Sequence, residues 1–396
     1  MARAGSRPDV QMIAEPPPLP LLESEESATA WARAWKGVVS GLDWMFGLAA
    51  ILVGLAVVAA IPILNFLSLG YMLECSGRVA RTGKLRHGFV GIRKASILGS
   101  IAIFSWLALL PLRFVSSLWK DAQLIDPASG TTRFMLVLMI LFSILALGHI
   151  GWACIRGGRT NHFLWPSPKH FKRWLLHEPG KFQRLRDGVM NYLNSLRLPH
   201  YFWLGARGFV GGLAWLALPV GILMIAGQLP KGPGFVLSLI GILGLTIAVV
   251  YVPFLQAHFA QQGRFRCLFE LGEVRAHFRK APFAFWLAMF ITVLFAMPLY
   301  LLKVEMTPQE LAWLPGLFFV ISILPARLLS GWAMGRAASS PEPAFGLFRW
   351  ISRVAILPIA FAYAFWVFLM QYFSWSGAAS LLEQHAFLLP APLLSL

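Results

Sequence analysis

The sequence has few cysteines and few charged side chains. Its three cysteines, Cys75, Cys154 and Cys267, lie far apart, each at or beside the end of an apolar segment, so they predict neither a disulfide framework nor a paired-cysteine metal site. Only 13% of its 396 residues are charged, whereas 58% are hydrophobic and the mean hydropathy is +0.67. This combination excludes an ordinary soluble protein and is typical of a membrane protein.

Motifs for nucleotides, serine nucleophiles and zinc are also lacking. The chain contains no GxxxxGK[ST], GxGxxG, GxSxG or HExxH string. Its longest hydrophilic connector has four histidines without metal-ligand spacing, His162, His170, His177 and His200. No metal, cofactor or reaction is therefore predicted, although an enzyme with dispersed catalytic residues stays open.

The first 40 residues lack the apolar core of a cleavable signal. They contain a proline cluster at 16–20 and an acidic cluster at 23–26. We expect three regions: a disordered tail at 1–40, a transmembrane helical bundle at 41–376, and a C-terminal tail at 377–396.

Long hydrophobic runs are what the sequence has in plenty. Runs of about 20 residues match the length that a helix needs to cross the hydrocarbon core, and a lipid-immersed helix satisfies its own backbone polar groups. The fold class predicted is therefore all-α, a polytopic bundle with eight segments: Trp44 to Leu73, Ser96 to Trp119, Phe134 to Ile155, Gly208 to Gln228, Phe235 to Gln256, Phe283 to Leu302, Leu314 to Gly335 and Val354 to Tyr372.

The first segment is unusually long and contains Pro62, which removes a helix hydrogen bond. It could cross once, which would place the N-terminal tail outside the cell. Alternatively, Ser40 to Ala60 crosses and Ile63 to Ala80 returns, which would place the tail in the cytoplasm. We favour the broken hairpin.

The basic residues are distributed unevenly among the connectors. Those after segments one, three, five and seven carry 24 Lys and Arg residues, whereas those after segments two, four and six carry four. The positive-inside rule then predicts a bacterial inner-membrane protein whose large basic connectors are cytoplasmic. The net charge of +17 is accordingly expected to meet anionic lipid head groups rather than nucleic acid.

Two connectors have internal organisation. Within the longest, 156–207, apolar residues recur at helical spacing and predict an amphipathic helix at 181–197 in the head-group plane. A string in the connector after segment one, Gly83-Lys84-Leu85-Arg86, is echoed by Gly263-Arg264-Phe265-Arg266. A duplicated bundle would produce this echo, but short basic strings also recur by chance, which we favour.

Part of the chain resembles a prokaryotic multi-pass membrane family known only as a domain of unknown function. The resemblance rests on Ile61-Pro62-Ile63, Leu69-Gly70-Tyr71-Met72-Leu73 and Arg78-Val79-Ala80-Arg81, with Gly263-Arg264-Phe265 and Leu271-Gly272-Glu273-Val274 later. It implies a cytoplasmic N-terminus and a break at Pro62. It implies no reaction, substrate or cofactor.

Polar residues within the apolar segments or at their mouths form a candidate intramembrane site: Arg113, His149, Arg327, Asn65 and Glu74. Ionisable groups in lipid cost free energy, so each is a functional candidate. Arg113 and Arg327 could bind a phosphate or carboxylate, but each is near enough to a segment end to snorkel.

The other three candidates also have two interpretations. His149 could relay protons or be a packed histidine. Asn65 could satisfy carbonyls that Pro62 frees, and Glu74 could join Arg78 in a polar site at the cytoplasmic mouth. For all three the structural role is favoured.

Three functions remain open. A transporter-like or lipid-handling and small-molecule-handling bundle predicts a cavity at membrane depth reached by Arg113, His149 or Arg327. An envelope scaffold predicts a constant protein partner and no need for the two arginines. A membrane-embedded lipid-modifying enzyme would be favoured by His or Glu residues facing one cavity. The oligomeric state stays open, because the GxxxG pairs Gly208/Gly212 and Gly331/Gly335 are common in membrane helices.

Overall fold

The computed structural model describes residues 30–168, 174, 180–301, 313–373 and 381, and 86% of it is helical. Within these residues there is no strand, which confirms the all-α bundle. The helices are α1 Ala30–Ala59, α2 Asn65–Thr82, α3 Ile92–Ala108, α4 Leu110–Ile125, α5 Gly130–Ile155, α6 Thr160–Leu164, α7 Lys181–Ser195, α8 Leu198–Ala226, α9 Lys231–Gln262, α10 Leu271–Lys280, α11 Pro282–Leu301, α12 Trp313–Ala338 and α13 Gly346–Met370.

Eight helical stretches of the described chain are long and apolar enough to cross a membrane. They are Gly37–Ala59, Ile92–Ile125, Gly130–Ile155, Leu185–Ala226, Lys231–Gln262, Pro282–Leu299, Trp313–Ala338 and Gly346–Met370. Each overlaps one predicted segment, so the chain is a multi-pass membrane protein. The tails expected at 1–40 and 377–396 lie largely outside the described residues, although α1 already begins at Ala30.

The first predicted segment is a broken hairpin. α1 ends at Ala59, Ile63 has a φ of 69°, and α2 begins at Asn65. The Ser68 hydroxyl donates to the Leu55 carbonyl at 2.7 Å, which joins the two arms just beyond the turn. Pro62 therefore ends one helix and a second helix returns, as the favoured alternative predicted.

α2 lies at the centre of the bundle. It packs against α8, α9 and α12, and two-thirds of its residues are buried. The Gly70 and Gly205 backbones meet where α2 crosses α8: a methyl group on Gly205 would overlap the Phe66 carbonyl, and one on Gly70 would overlap the Tyr201 carbonyl. Because other helices surround it, α2 can carry polar residues that a lipid-facing helix could not.

Three glycines of the GxxxG pairs noted in the sequence, Gly208, Gly331 and Gly335, also face α2. A methyl group on Gly208 would overlap the Leu73 side chain, and one on Gly331 would overlap the Ser76 backbone. These glycines therefore allow close packing within one chain.

The basic connectors gather at one end of the bundle, which we call the basic end: 83–91, the described part of 156–197, 263–281 and 339–345. Hydrogen bonds join these connectors and the adjoining helix ends: Arg81 Nη1 to Ala260 O at 3.0 Å, Lys94 Nζ to Ser195 O at 2.8 Å, and Ala344 N to Arg279 O at 2.9 Å. α1 also starts towards this end, since its Gly47 packs against Ile92 at the start of α3.

The amphipathic helix predicted at 181–197 corresponds to α7, which spans Lys181–Ser195. Its Tyr192 hydroxyl donates to the Lys94 carbonyl at 2.8 Å, so polar contacts dock it to the start of α3. Four of its apolar side chains stay exposed, namely Phe182, Val189, Met190 and Leu193. An amphipathic helix held at a bundle end with apolar side chains uncovered is suited to the membrane interface.

Candidate functional site

The five sequence-predicted residues do not converge on one cavity. Arg113 is exposed on α4, and His149 is half-buried on α5, where its ring centroid lies 6.3 Å from that of Phe163. Both belong to the outer α3–α4–α5 layer, whose apolar side chains are largely exposed. His149 thus lies against an aromatic ring in this layer and not in the cavity at membrane depth that a transporter-like bundle predicts.

Arg327 lies in the interior instead of reaching out to head groups. Its side chain is only 3% exposed, and it donates from Nη1 to the Gln256 side-chain oxygen across α12 and α9. Gln256 in turn donates to the Gly208 carbonyl at 3.1 Å. The snorkelling expected for Arg327 is therefore wrong, because the α9 amide supplies a partner that the sequence does not place beside it.

Asn65 starts α2 and is 1% exposed, and its Oδ1 has no hydrogen-bond partner in the described chain. The nearby hydroxyl of Ser68 satisfies the Leu55 carbonyl, as described above. Asn65 is thus buried at the hairpin turn, away from the other four candidates.

Glu74 lies at the centre of an ion cluster near the basic end. Its carboxylate accepts from Arg78 Nε at 2.9 Å and from Arg81 Nη2 at 3.2 Å, and it lies 3.4 Å from His200 Nε2. Arg81 also donates to the Ala260 carbonyl, so the cluster joins α2, α8 and α9. Its geometry is that of a structural cross-link between helices.

We expect Glu74→Gln to lower the free energy of unfolding by about 1–2 kcal/mol, because two partly exposed arginines lose a charged acceptor. Thermal unfolding of the protein purified in detergent measures the change. Glu342→Gln, which removes an exposed carboxylate from the 339–345 connector, is the matched control. Equal melting temperatures for the two variants would contradict a cross-linking role for Glu74.

A pocket that is widely open to its surroundings, here called the cavity, lies at the basic end beside the end of α9. It has a volume of about 560 Å³. Its lining residues come from α9, the following turn and α10: His258, Gln262, Arg264, Arg266, Cys267, Glu270, Gly272 and Glu273. None of the five sequence-predicted residues lines it. The volume lies within the range of small-molecule sites in proteins, about 300–1,000 Å³.

The local sequence explains how the chain reverses to build this cavity. Gly263 ends α9 with a φ of 73°, a conformation that favours glycine. A 3₁₀ turn at Phe265–Phe269 follows, and its Leu268 is fully buried. Trp215 of α8 donates from Nε1 to the Leu268 carbonyl at 2.9 Å. The turn is therefore fixed by packing and by a hydrogen bond, which holds Cys267 and Glu270 beside α9.

The polar groups of the cavity meet at Glu270. Its Oε2 lies 3.2 Å from His258 Nε2, and its Oε1 lies 3.5 Å from Arg266 Nε. The hydrogen bond from His258 holds the pKa of the Glu270 carboxyl below its usual value, whereas burial raises the pKa of the Cys267 thiol. The cavity thus combines two carboxylates, those of Glu270 and Glu273, with a neutral thiol, an imidazole and two guanidinium groups.

The sequence patterns do not single out His258, Cys267 or Glu270. Their spacing matches no standard ligand motif, and His258 lies just beyond the predicted segment Phe235 to Gln256. The one signal was the echo between the two Gly-basic strings. Both copies follow the same backbone course: a helix ends at a left-handed glycine, an extended basic residue follows, and a 3₁₀ turn comes next. The two short basic strings therefore share a backbone conformation as well as a sequence pattern.

No family model matches the chain, and no curated protein or solved structure matches it either.

Proposed function

We propose that this protein handles anionic lipids or small anionic molecules in the bacterial inner membrane, through the cavity at its basic end. The observation that carries the proposal is the cavity of about 560 Å³ with Arg264 and Arg266 in its lining. Both arginines are exposed, so their guanidinium groups can bind a phosphate or carboxylate without first breaking contacts in the protein interior. Planar guanidinium groups suit such anions because they donate two parallel hydrogen bonds.

The position of the cavity favours a ligand from the head-group layer. It lies at the end where the basic connectors gather, and α7, with its exposed apolar side chains, is docked at the same end. An interfacial helix would hold this end at the level of lipid phosphates. By the positive-inside rule the basic end faces the cytoplasm, so the cavity would meet the inner leaflet.

Proline-interrupted helices support handling rather than a passive scaffold. Among the described residues, five helices contain an internal proline: Pro219, Pro253, Pro298, Pro325 and Pro358. Interrupted membrane helices are frequent in transporters, where they provide hinges and free backbone groups.

The double change Arg264→Gln with Arg266→Gln tests the proposal. The purified protein, in neutral detergent, is mixed with phosphatidylglycerol or phosphatidylcholine, and native mass spectrometry counts the bound lipids. We expect the wild type to prefer phosphatidylglycerol, and the double variant to bind it about thirtyfold more weakly, since each lost arginine removes about 1 kcal/mol.

The matched control changes the equivalent positions of the first connector, Lys84→Gln with Arg86→Gln. It removes the same charge from the same end of the bundle but leaves the cavity intact. If both double variants lose the same affinity, only the general charge matters and the cavity is not the binding site. A wild type without preference for the anionic lipid would likewise overturn the proposal.

A membrane-embedded lipid-modifying enzyme is a second candidate. The observation that favours it is that His258, Cys267 and Glu270 all line one cavity. His or Glu residues that face one cavity are the arrangement expected above for such an enzyme. Hydrolysis of phosphatidylglycerol or of a shorter ester by the wild type, with loss of the activity in Glu270→Gln, would support it. Stable lipid throughout prolonged incubation would count against it.

A further inference from the structure

Three metal-ligating residue types come together in the cavity. His258 is on the last turns of α9, Cys267 is in the 3₁₀ turn, and Glu270 follows that turn directly. One candidate ligand atom from each of the three lies within 4.8 Å of the other two. The spacing of these three residues along the chain does not by itself place them close together in space. It results from the reversal of the chain at Gly263.

The distances are close to those that a metal ion needs. A tetrahedral zinc ion is bonded at about 2.0 Å to nitrogen and oxygen and at about 2.3 Å to sulfur, so ligand atoms of a set with one sulfur lie about 3.3–3.5 Å apart. The His258 and Glu270 atoms are already 3.2 Å apart. No ligand pair of the cluster is more than 4.8 Å apart, so the cluster needs to contract by about 1.3 Å or less, which side-chain rotation can supply.

The surroundings supply two further features of a metal site. His258 is 5% exposed, so the protein rather than bulk water surrounds its imidazole. Arg266 approaches the second carboxylate oxygen of Glu270, where it can orient that ligand. The cavity itself leaves room on the remaining side of the cluster.

We propose that His258, Cys267 and Glu270 bind a transition-metal dication of the zinc type. Imidazole, thiolate and carboxylate together suit zinc better than the oxygen-preferring magnesium or calcium. Three protein ligands leave a fourth position open to the cavity, which water or an anion fills. The proposal is independent of lipid binding, because it needs the three ligands alone.

The nearby arginines do not prevent metal binding. On binding, the Cys267 thiol loses its proton to water. The two positive charges of the ion then meet the negative charges of the Cys267 thiolate and the Glu270 carboxylate, so the bound cluster is neutral. The Arg266 side chain is 91% exposed, and water and salt screen its charge. Its positive charge instead favours an anion at the open position.

The equivalent positions of the first connector provide an internal comparison. When the two left-handed glycines are aligned, Arg78, His87 and Val90 stand where His258, Cys267 and Glu270 stand in the second copy. Arg78 is already paired with Glu74. The proposed metal site thus belongs to the second copy alone, although both copies share the backbone course.

The test uses full-length protein purified in detergent through a tag without histidine. After chelation and removal of the chelator, Co²⁺ is titrated in and followed by absorption, and Zn²⁺ is then added as a competitor. We expect one Co²⁺ per chain with a thiolate charge-transfer band and the visible bands of a tetrahedral site. Zn²⁺ should abolish both signals.

Cys267→Ser should lose the charge-transfer band and bind Co²⁺ at least about tenfold more weakly, whereas Cys154→Ser, at a half-buried cysteine of α5, should match the wild type. Glu270→Gln provides a second variant with nearly unchanged shape, and size-exclusion chromatography verifies that each variant is folded. A wild type that binds Co²⁺ no better than Cys267→Ser would overturn the proposal. Because the readout is the metal spectrum, a negative lipid-binding result leaves this test intact.

Discussion

Gly205→Ala is expected to abolish or severely weaken folding, although it adds one methyl group. That methyl would overlap the Phe66 carbonyl at the contact between α8 and α2. Neither backbone can yield without moving a whole helix, and α2 is the helix around which α8, α9 and α12 pack. We expect a loss of about 3 kcal/mol or more, at the upper end of overpacking costs. Thermal unfolding in detergent and the yield of monodisperse protein measure it.

The matched control is Gly221→Ala in the same helix. No atom lies within 4 Å of the position that its new methyl would take, and alanine favours helix formation over glycine by up to about 1 kcal/mol. The control should therefore be neutral or slightly stabilising. If both variants behaved alike, the close approach of α2 and α8 would not be a main source of stability.

Gln256→Leu should have the second-largest effect, with a loss of about 2–3 kcal/mol. The change removes an acceptor of the buried Arg327 guanidinium and a donor to the Gly208 carbonyl, and leucine cannot replace either. Buried polar groups that lose a partner pay their desolvation cost in full. Thermal unfolding of the purified variant is the measurement.

Two further variants sharpen this second prediction. Gln256→Glu keeps an acceptor of similar shape and adds a countercharge, so it should recover most of the loss. Gln262→Leu, at an exposed position of the same helix, should stay within about 0.5 kcal/mol of the wild type. Equal losses in Gln256→Leu and Gln256→Glu would show that the pairing with Arg327 does not carry the stability.

Hydrophobic blocks alone predicted eight of the passes, because helices that face lipid must be apolar along their length. They could not define α2 as a separate helix. Neighbouring helices shield α2 from lipid, so it can carry the ion-paired side chains of Glu74, Arg78 and Arg81 at a low cost in free energy. Low hydropathy therefore does not exclude a helix at this position. Pro62 still predicted the boundary between α1 and α2, because the effect of proline on a helix depends on backbone chemistry and not on the surroundings.

The candidate site was much less predictable. The candidates, such as Arg113 and His149, follow from the position of a polar residue along an apolar segment, yet that position does not show which side of a helix faces the interior. Arg327 is one of these candidates, and its partner Gln256 lies on another helix. The His258, Cys267 and Glu270 group depends on the reversal after α9, and a short motif search cannot detect a meeting that tertiary structure creates.

The hairpin at Pro62 also decides whether the chain crosses the membrane an even or an odd number of times. α2 runs back beside α1 and is not one of the eight apolar stretches of the described chain. If both arms of the hairpin cross, the described residues make nine traversals, an odd number. A reporter fused ahead of α1 and another fused behind α13 would then occupy different compartments, whichever way the bundle is inserted.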